Sequence, residues 1–223
     1  MGVTVIAESG IVGFDVSIHN SEGHPVQWDR IPVDQARFVY IKATEGSTFE
    51  DPWFDRHWNS AHSVGIACGA YHFFRSNRPG KAQADNIVQH VLHDARCGAG
   101  DLPVAIDIEE LKSVDITSPA SIKAFLNELD ACAAAVTGAM GAKPVIYTAG
   151  YVWQALGYPA NCADSPLWIG QLSTAAAPHL PKPFTQWAMW QYSSTGRLAG
   201  VTGDVDLDRF NGSEDDFQAL RLK

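Results

Sequence analysis

Eight short apolar runs, several separated by helical stripes, narrow the folds open to this 223-residue chain. The runs are 12–17 (VGFDVS), 38–44 (FVYIKAT), 67–74 (ACGAYHFF), 103–109 (PVAIDIE), 144–148 (PVIYT), 167–172 (LWIGQL), 187–193 (WAMWQYS) and 204–210 (DVDLDRF). Each has strand length and is bounded by turn residues or helical patterns. Between 118 and 137, Ile122, Phe125, Leu126, Leu129, Ala133 and Val136 recur at helical spacing behind a Ser118-Pro119 start. Ala84, Ile87, Val88, Val91 and Ala95 mark a second helix between 80 and 96. Asp51-Pro52 opens a third, with Trp53, Phe54, His57, Trp58 and Ala61 on one face. Weaker patterns cover 150–156 and 213–221. Strands alternating with helices predict βαβ units and a parallel sheet. Eight strands at this length predict a closed α/β barrel in a single domain. The later strands are joined by loops too short for full helices. The expectation is a degenerate barrel over 12–223, with roughly five βα units followed by a few near-adjacent strands, and an N-terminal extension over 1–11.

Successive strand side chains point to opposite faces, so each run splits into two sets. Val12, Phe14 and Val16 oppose Gly13, Asp15 and Ser17. Val39 and Ile41 oppose Tyr40, Lys42 and Thr44. Val104, Ile106 and Ile108 oppose Ala105, Asp107 and Glu109; Ile146 opposes Val145 and Tyr147. Val205 and Leu207 oppose Asp204, Asp206 and Asp208. The purely apolar set is expected to face the helices, and the mixed set to line the barrel. Polar members then gather at the C-terminal ends of the strands, where such barrels build their sites. Asp15, Lys42, Asp107, Glu109, Tyr147 and Asp206 converge there on this reading. Glu110 has the opposite parity and is expected to be an ordinary surface carboxylate.

Bulk properties remove several classes of function. Net charge is −9 and no Lys/Arg-rich run occurs, which argues against nucleic acid as a partner. Cys68, Cys97, Cys132 and Cys162 form no CxxC pair, so a zinc ribbon is not expected; their disulfide state stays open. His90 and His93 lie at i, i+3 without an evident third ligand, and His72 reads as a packed histidine. No metal or other cofactor is implied. The N-terminus lacks the pattern of a signal peptide, and no apolar run approaches the ~20 residues of a membrane helix.

Two chemistries suit several carboxylates with few cations. Hard oxygens could hold Mg²⁺ or Ca²⁺. A carboxylate pair could instead cleave a glycosidic bond. Asp107 and Glu109 stand two apart on one strand face, about 6.5–7 Å between Cα atoms. Tyr71, Phe73, Tyr147, Trp168, Trp187 and Trp190 lie on or near strand ends. Aromatic faces suit sugar rings, so the group favours a glycan.

The motifs GFDVS at 13–17, YIKATEG at 40–46, GAYHFFR at 69–75, AIDIE at 105–109, IYT at 146–148, LWIGQ at 167–171, WQYS at 190–193 and VDLDRF at 205–210 together resemble glycoside hydrolase family 25. These are the Chalaropsis-type lysozymes, or N-acetylmuramidases. The resemblance runs from about residue 12 to 212. It implies a single-domain modified TIM-like barrel, roughly (β/α)5β3, acting as a monomer on bacterial peptidoglycan at the cell wall, extracellular or periplasmic. It implies cleavage of the β-1,4 bond between N-acetylmuramic acid and N-acetylglucosamine with retention, assisted by the substrate's acetamido group. By motif position, Glu109 matches the proton donor and Asp107 its partner; Asp15 and Asp206 match the other cleft acids. Lys42, Tyr71, Phe73, Tyr147, Trp168 and Gln191 are the candidate substrate-binding residues. Like-charge repulsion from Asp107, Asp15 and Asp206 is expected to raise the pKa of Glu109. The alternatives are a catalytically silent glycan-binding barrel and a chitinase-like N-acetylglucosaminidase. Against the second, Ala105 stands where a chitinase-type DxDxE motif has its first acid.

Overall fold

The computed structural model describes residues 10–93 and 96–223. Nine strands form one sheet: β1 Val12–Val16, β2 Phe38–Glu45, β3 Phe49–Glu50, β4 Ala67–Phe73, β5 Ala105–Ile108, β6 Val145–Ala149, β7 Leu167–Gly170, β8 Met189–Gly196 and β9 Val205–Phe210. Their order is β1-β9-β8-β7-β6-β5-β4-β2, and β1 pairs with β2 to close an eight-stranded barrel. β3 is a short flap that pairs with β2 alone, through Thr44–Glu50 and Glu45–Phe49. β9 departs from the expected parallel sheet, because it runs antiparallel to both β8 and β1. The reason is chain length. Residues 197–204 are too few for the crossover a parallel neighbour needs, so the chain turns back as a hairpin.

The helices are α1 Phe54–Ser63, α2 Gly80–Ile87, α3 Pro119–Met140, α4 Gly150–Ala155 and α5 Glu214–Leu220. α3 starts as its sequence predicts. The Ser118 hydroxyl accepts from the Ser121 amide at 3.3 Å, Pro119 fills the first turn, and Gly141 ends the helix at φ 75°. The helix expected over 80–96 is regular only to Ile87 and widens into a π turn over Val88–Leu92. Ala95 and most of the expected N-terminal extension (residues 1–9) lie outside the described residues. Gly10 and Ile11 lead directly into β1, with the Ile11 carbonyl accepting from the Phe210 amide at 2.8 Å. Among the described residues, no helix is long and apolar enough to cross a membrane.

Strand parity sorts the hydrophobic core as predicted; Thr44 departs from it, because a register shift after Lys42 turns it to the outward face beside His72. Phe14, Val16, Val39, Ile41, Ile106, Ile108 and Ile146 pack outward on Phe54, Trp58, Phe125, Leu129 and Val136 of the helices. Phe38, Tyr40, Ala105, Val145, Trp168, Met189 and Phe210 fill the barrel interior. α5 joins this inner cluster through Phe217, whose ring lies 5.9 Å from Phe38 and 5.2 Å from Phe210. His72 points outward and is fully buried. It bonds to the Thr44 hydroxyl at 2.8 Å and the Gln83 side chain at 3.2 Å, tying β2 and β4 to α2. Burial pulls its pKa down to about 4, so it is neutral at physiological pH. The four cysteines are all unpaired.

The interior tolerates bulky rings only because glycines face them. A Cβ on Gly69 would lie 2.4 Å from the Tyr40 ring, and one on Gly13 would lie 2.5 Å from Phe38. Gly69→Ala should therefore destabilise the barrel by about 1–3 kcal/mol through overpacking. Urea unfolding reads this directly, and an unchanged midpoint would refute the tight fit.

Candidate active site

A cavity of about 200 Å³ opens at the C-terminal ends of the parallel strands. It is lined by Asp15, Tyr71, Asp107, Glu109, Tyr147, Trp168, Gln191 and Asp206. β1, β4, β5, β6, β7, β8 and β9 each deliver one side chain from within the strand; Glu109 stands just past the end of β5. Strand register explains the convergence. Asp15 pairs across the sheet with Asp206, Asp107 with Tyr147, and Tyr147 with Trp168. All eight lining residues are among the ten that the sequence nominates.

The other two, Lys42 and Phe73, are not in the lining. The Lys42 ammonium lies 2.8 Å from Glu45 and 4.9 Å from the centre of the Phe73 ring. The Arg75 guanidinium sits 4.7 Å from the same ring and also pairs with Glu45. These residues form a rim cluster, and Lys42 acts on the acids through its charge. Trp187 and Trp190 also stand apart: Trp190 is on the outward parity of β8, packed in the helix-facing core.

The walls are joined by hydrogen bonds. The Tyr147 hydroxyl donates to Gln191 Oε1 at 2.8 Å, and Gln191 Nε2 donates to Asp15 Oδ2 at 2.7 Å. Trp168 is only 3% exposed, so it is a floor rather than an open platform. Its ring packs 4.7 Å from Tyr40 and 4.8 Å from Tyr147, and its indole N–H donates to Asp208 Oδ1 at 2.7 Å. Asp208 is completely buried beneath the pocket, whereas Asp204 is exposed and pairs with Arg197. Of Asp204, just before β9, and Asp206 and Asp208 within it, Asp206 lines the cavity and the other two do not.

Electrostatics divide the acids. Burial, then repulsion from Glu109 and Asp15, holds Asp107 well above the usual carboxylate range; Lys42 opposes this. Asp15 is raised by burial and by Asp206, against the Gln191 hydrogen bond. Asp206 is raised by burial and by Glu109. Glu109 is also raised, but the cause differs from the one expected. Partial burial does it, opposed by Lys42, and Glu109 acts as the repelling charge for its neighbours. It stands at the exposed rim, where water solvates its ionised form better than those of the deeper acids.

Glu110 is not the surface carboxylate its parity suggests. It is 9% exposed and accepts from the Ser76 amide at 3.1 Å, the Ser76 hydroxyl at 3.0 Å and the Lys112 amide. It thereby ties the loop after β4 to the loop after β5, next to Glu109 in the chain. His90 pairs with Glu50 at 3.1 Å. Among the described residues, no group of three or more His, Cys, Asp or Glu is placed to hold a metal ion.

The chain is similar to known proteins in sequence and fold. The family model described as "Glycosyl hydrolases family 25" matches residues 14–201. Lysozyme M1 of Streptomyces globisporus is 36% identical over 211 residues, covering 92% of this chain and 69% of that protein. The crystal structure of a bacterial lysozyme from Streptomyces coelicolor superposes with a TM-score of 0.83 at 33% identity, over 96% of this chain and 97% of that one. A muramidase from Trichobolus zukalii superposes with a TM-score of 0.79 at 29% identity, over 95% and 98%. From β1 to the loop before β9, the chain belongs to glycosyl hydrolases family 25.

Proposed function

We propose that this protein is a retaining N-acetylmuramidase that hydrolyses the β-1,4 bond between N-acetylmuramic acid and N-acetylglucosamine in bacterial peptidoglycan. The observation that carries the reading is the gathering of Asp15, Asp107, Glu109 and Asp206 with two tyrosines in one cavity. The lysozyme and muramidase relatives support the same substrate class.

Glu109 is the acid and then the base. Its carboxyl is at the rim, where a glycosidic oxygen can reach it, and its raised pKa favours the protonated form. A bound sugar displaces the remaining water and pushes that pKa higher still. As Glu109 protonates the leaving oxygen, the substrate's acetamido oxygen attacks the anomeric carbon from the opposite face. Positive charge then builds on the acetamido group. Asp107 Oδ1 is buried and has no hydrogen-bond partner, so it is available to accept the acetamido N–H. Its negative charge stabilises the cyclic intermediate. Water opens the ring from the face the leaving group vacated, with Glu109 taking its proton, which gives net retention. Asp15 and Asp206 add negative potential to the cleft. Tyr71 and Tyr147 form its walls, Trp168 its floor, and Gln191 fixes Asp15; Lys42 and Phe73 meet substrate only at the rim.

The reaction draws on carboxyl groups and substrate alone, so no metal or cofactor takes part. Peptidoglycan places the enzyme at the cell wall, extracellular or periplasmic, working as a monomer without nucleic acid or membrane insertion. Proton NMR of a soluble wall oligosaccharide during digestion, in EDTA, tests the reading. The β-anomer should form first and at an unchanged rate. An α-anomer formed first, or activity lost to EDTA, would overturn it.

A further inference from the structure

Asp208 is buried beneath the pocket and is the one acid of the inner network with no assigned task. On β9 it pairs across the sheet with Gly13 of β1 and with Gln191 of β8, just below the acids that line the cavity. Its surroundings fix which of its atoms can do what. An indole N–H can only donate, so the bond from Trp168 makes Oδ1 an acceptor. Oδ2 is fully buried and has no conventional donor. Asp15 is the diagonal neighbour of Asp208 on the inner face of the β1–β9 pair, since Gly13 pairs with Asp208 and Asp15 with Asp206, and the two carboxyls interact electrostatically.

Asp15 is constrained from its other end. The Tyr147 hydroxyl donates to Gln191 Oε1, which turns the amide NH₂ of Gln191 toward Asp15 Oδ2. Asp15 Oδ2 is therefore also an acceptor. Two buried carboxyls on diagonal positions repel each other when both are ionised, which favours leaving one of them protonated. Asp15 keeps 8% exposure on the cavity and has the Gln191 donor, whereas Asp208 is closed off from water.

We propose that Asp208 is a positioning residue that works as a neutral acid, donating its Oδ2 proton to Asp15 and so holding Asp15 as an oriented carboxylate at the base of the cleft. The inference rests on the glycosidase reading of the pocket above. A continuous chain results: Tyr147 to Gln191 to Asp15 from one side, and Asp208, itself anchored by Trp168, to Asp15 from the other. The titratable groups facing Asp208 are Asp15 on β1, Asp206 on its own strand, Tyr40 on β2 and Tyr147 on β6. The Tyr40 hydroxyl donates to the Pro103 carbonyl at 3.0 Å. Burial, then the Asp15 charge, favours the protonated form of Asp208.

Asp208→Asn and Asp208→Leu separate donation from charge. The asparagine can accept from Trp168 and donate to Asp15, as the neutral acid does. It should keep kcat within about threefold of wild type, with the same pH profile. The leucine removes the donor. It should lower kcat about 10- to 100-fold with little change in KM, because Asp15 loses its orientation, and its acid limb should move to higher pH. Carbon-13 NMR of the aspartate carboxyls, with the Asp208 signal assigned by its absence in Asp208→Asn, should show wild-type Asp208 protonated from pH 5 to 8. An ionised Asp208 in that range, or an asparagine variant as impaired as the leucine variant, would overturn the proposal. The carboxyl signal needs no turnover. If wild type fails to cleave peptidoglycan while Asp208 stays protonated, the muramidase reading fails and the neutral acid stands.

Discussion

Glu109→Gln should lower kcat by about 10²–10⁴-fold, the range expected for loss of a general acid. The amide has the same shape but cannot give up a proton to the leaving oxygen. Glu109 is at the exposed rim, so the thermal midpoint should hardly move. The pH dependence carries the sign. In the proposed role Glu109 acts in its protonated form, and its pKa is raised by partial burial. Wild-type activity should fall as pH rises through that raised value, and the residual activity of the variant should lack this limb. A kinetic profile on solubilised wall fragments checks both. A glutamine variant with wild-type kcat would remove Glu109 from the mechanism.

Asp107→Asn has the second large effect, and it acts on two properties in opposite directions. Activity should drop about 10²–10³-fold, as when one preorganised electrostatic group is removed. Stability at pH 7 should rise, because a carboxylate held in the barrel by repulsive neighbours is a cost to the fold. For a chain of this size, about 1 kcal/mol corresponds to a midpoint shift of about 2–4 °C. The pH dependence again has a definite sign. The folded pKa of Asp107 lies above its unfolded value, so the wild type is least penalised below about pH 4 and loses stability as pH rises. The advantage of the asparagine should vanish at acid pH. A variant less stable than wild type at pH 7 would mean that Asp107 is compensated in the fold.

The barrel and most of its site can be read from strand parity. Alternation along VGFDVS, AIDIE and VDLDRF separates inner from outer side chains whichever way a strand runs. For the same reason it is blind to direction, so the antiparallel course of β9 does not show in it. That direction decides which acid lines the cavity. Because β9 runs downward from the mouth, Asp206 meets the cavity and Asp208, later in the strand, lies beneath it. Lys42 stands beside an irregularity in the β2–β4 pairing between Lys42 and Thr44, and is captured by Glu45 three residues on. An alternating pattern carries no mark of such a bulge. Glu110 follows the end of β5 at Ile108, where parity no longer applies. Its carboxylate is held instead by the amide of Lys112 two residues on and by that of Ser76, a long-range contact that sequence spacing does not encode.

The proposed activity is a cut in peptidoglycan on the reducing side of N-acetylmuramic acid. Digestion of purified wall, borohydride reduction of the new ends, and mass spectrometry of the released fragments test it most directly. A muramidase should leave muramitol at the reducing ends, formed by wild type and not by Glu109→Gln. Glucosaminitol ends, or muramitol released equally by both proteins, would contradict it.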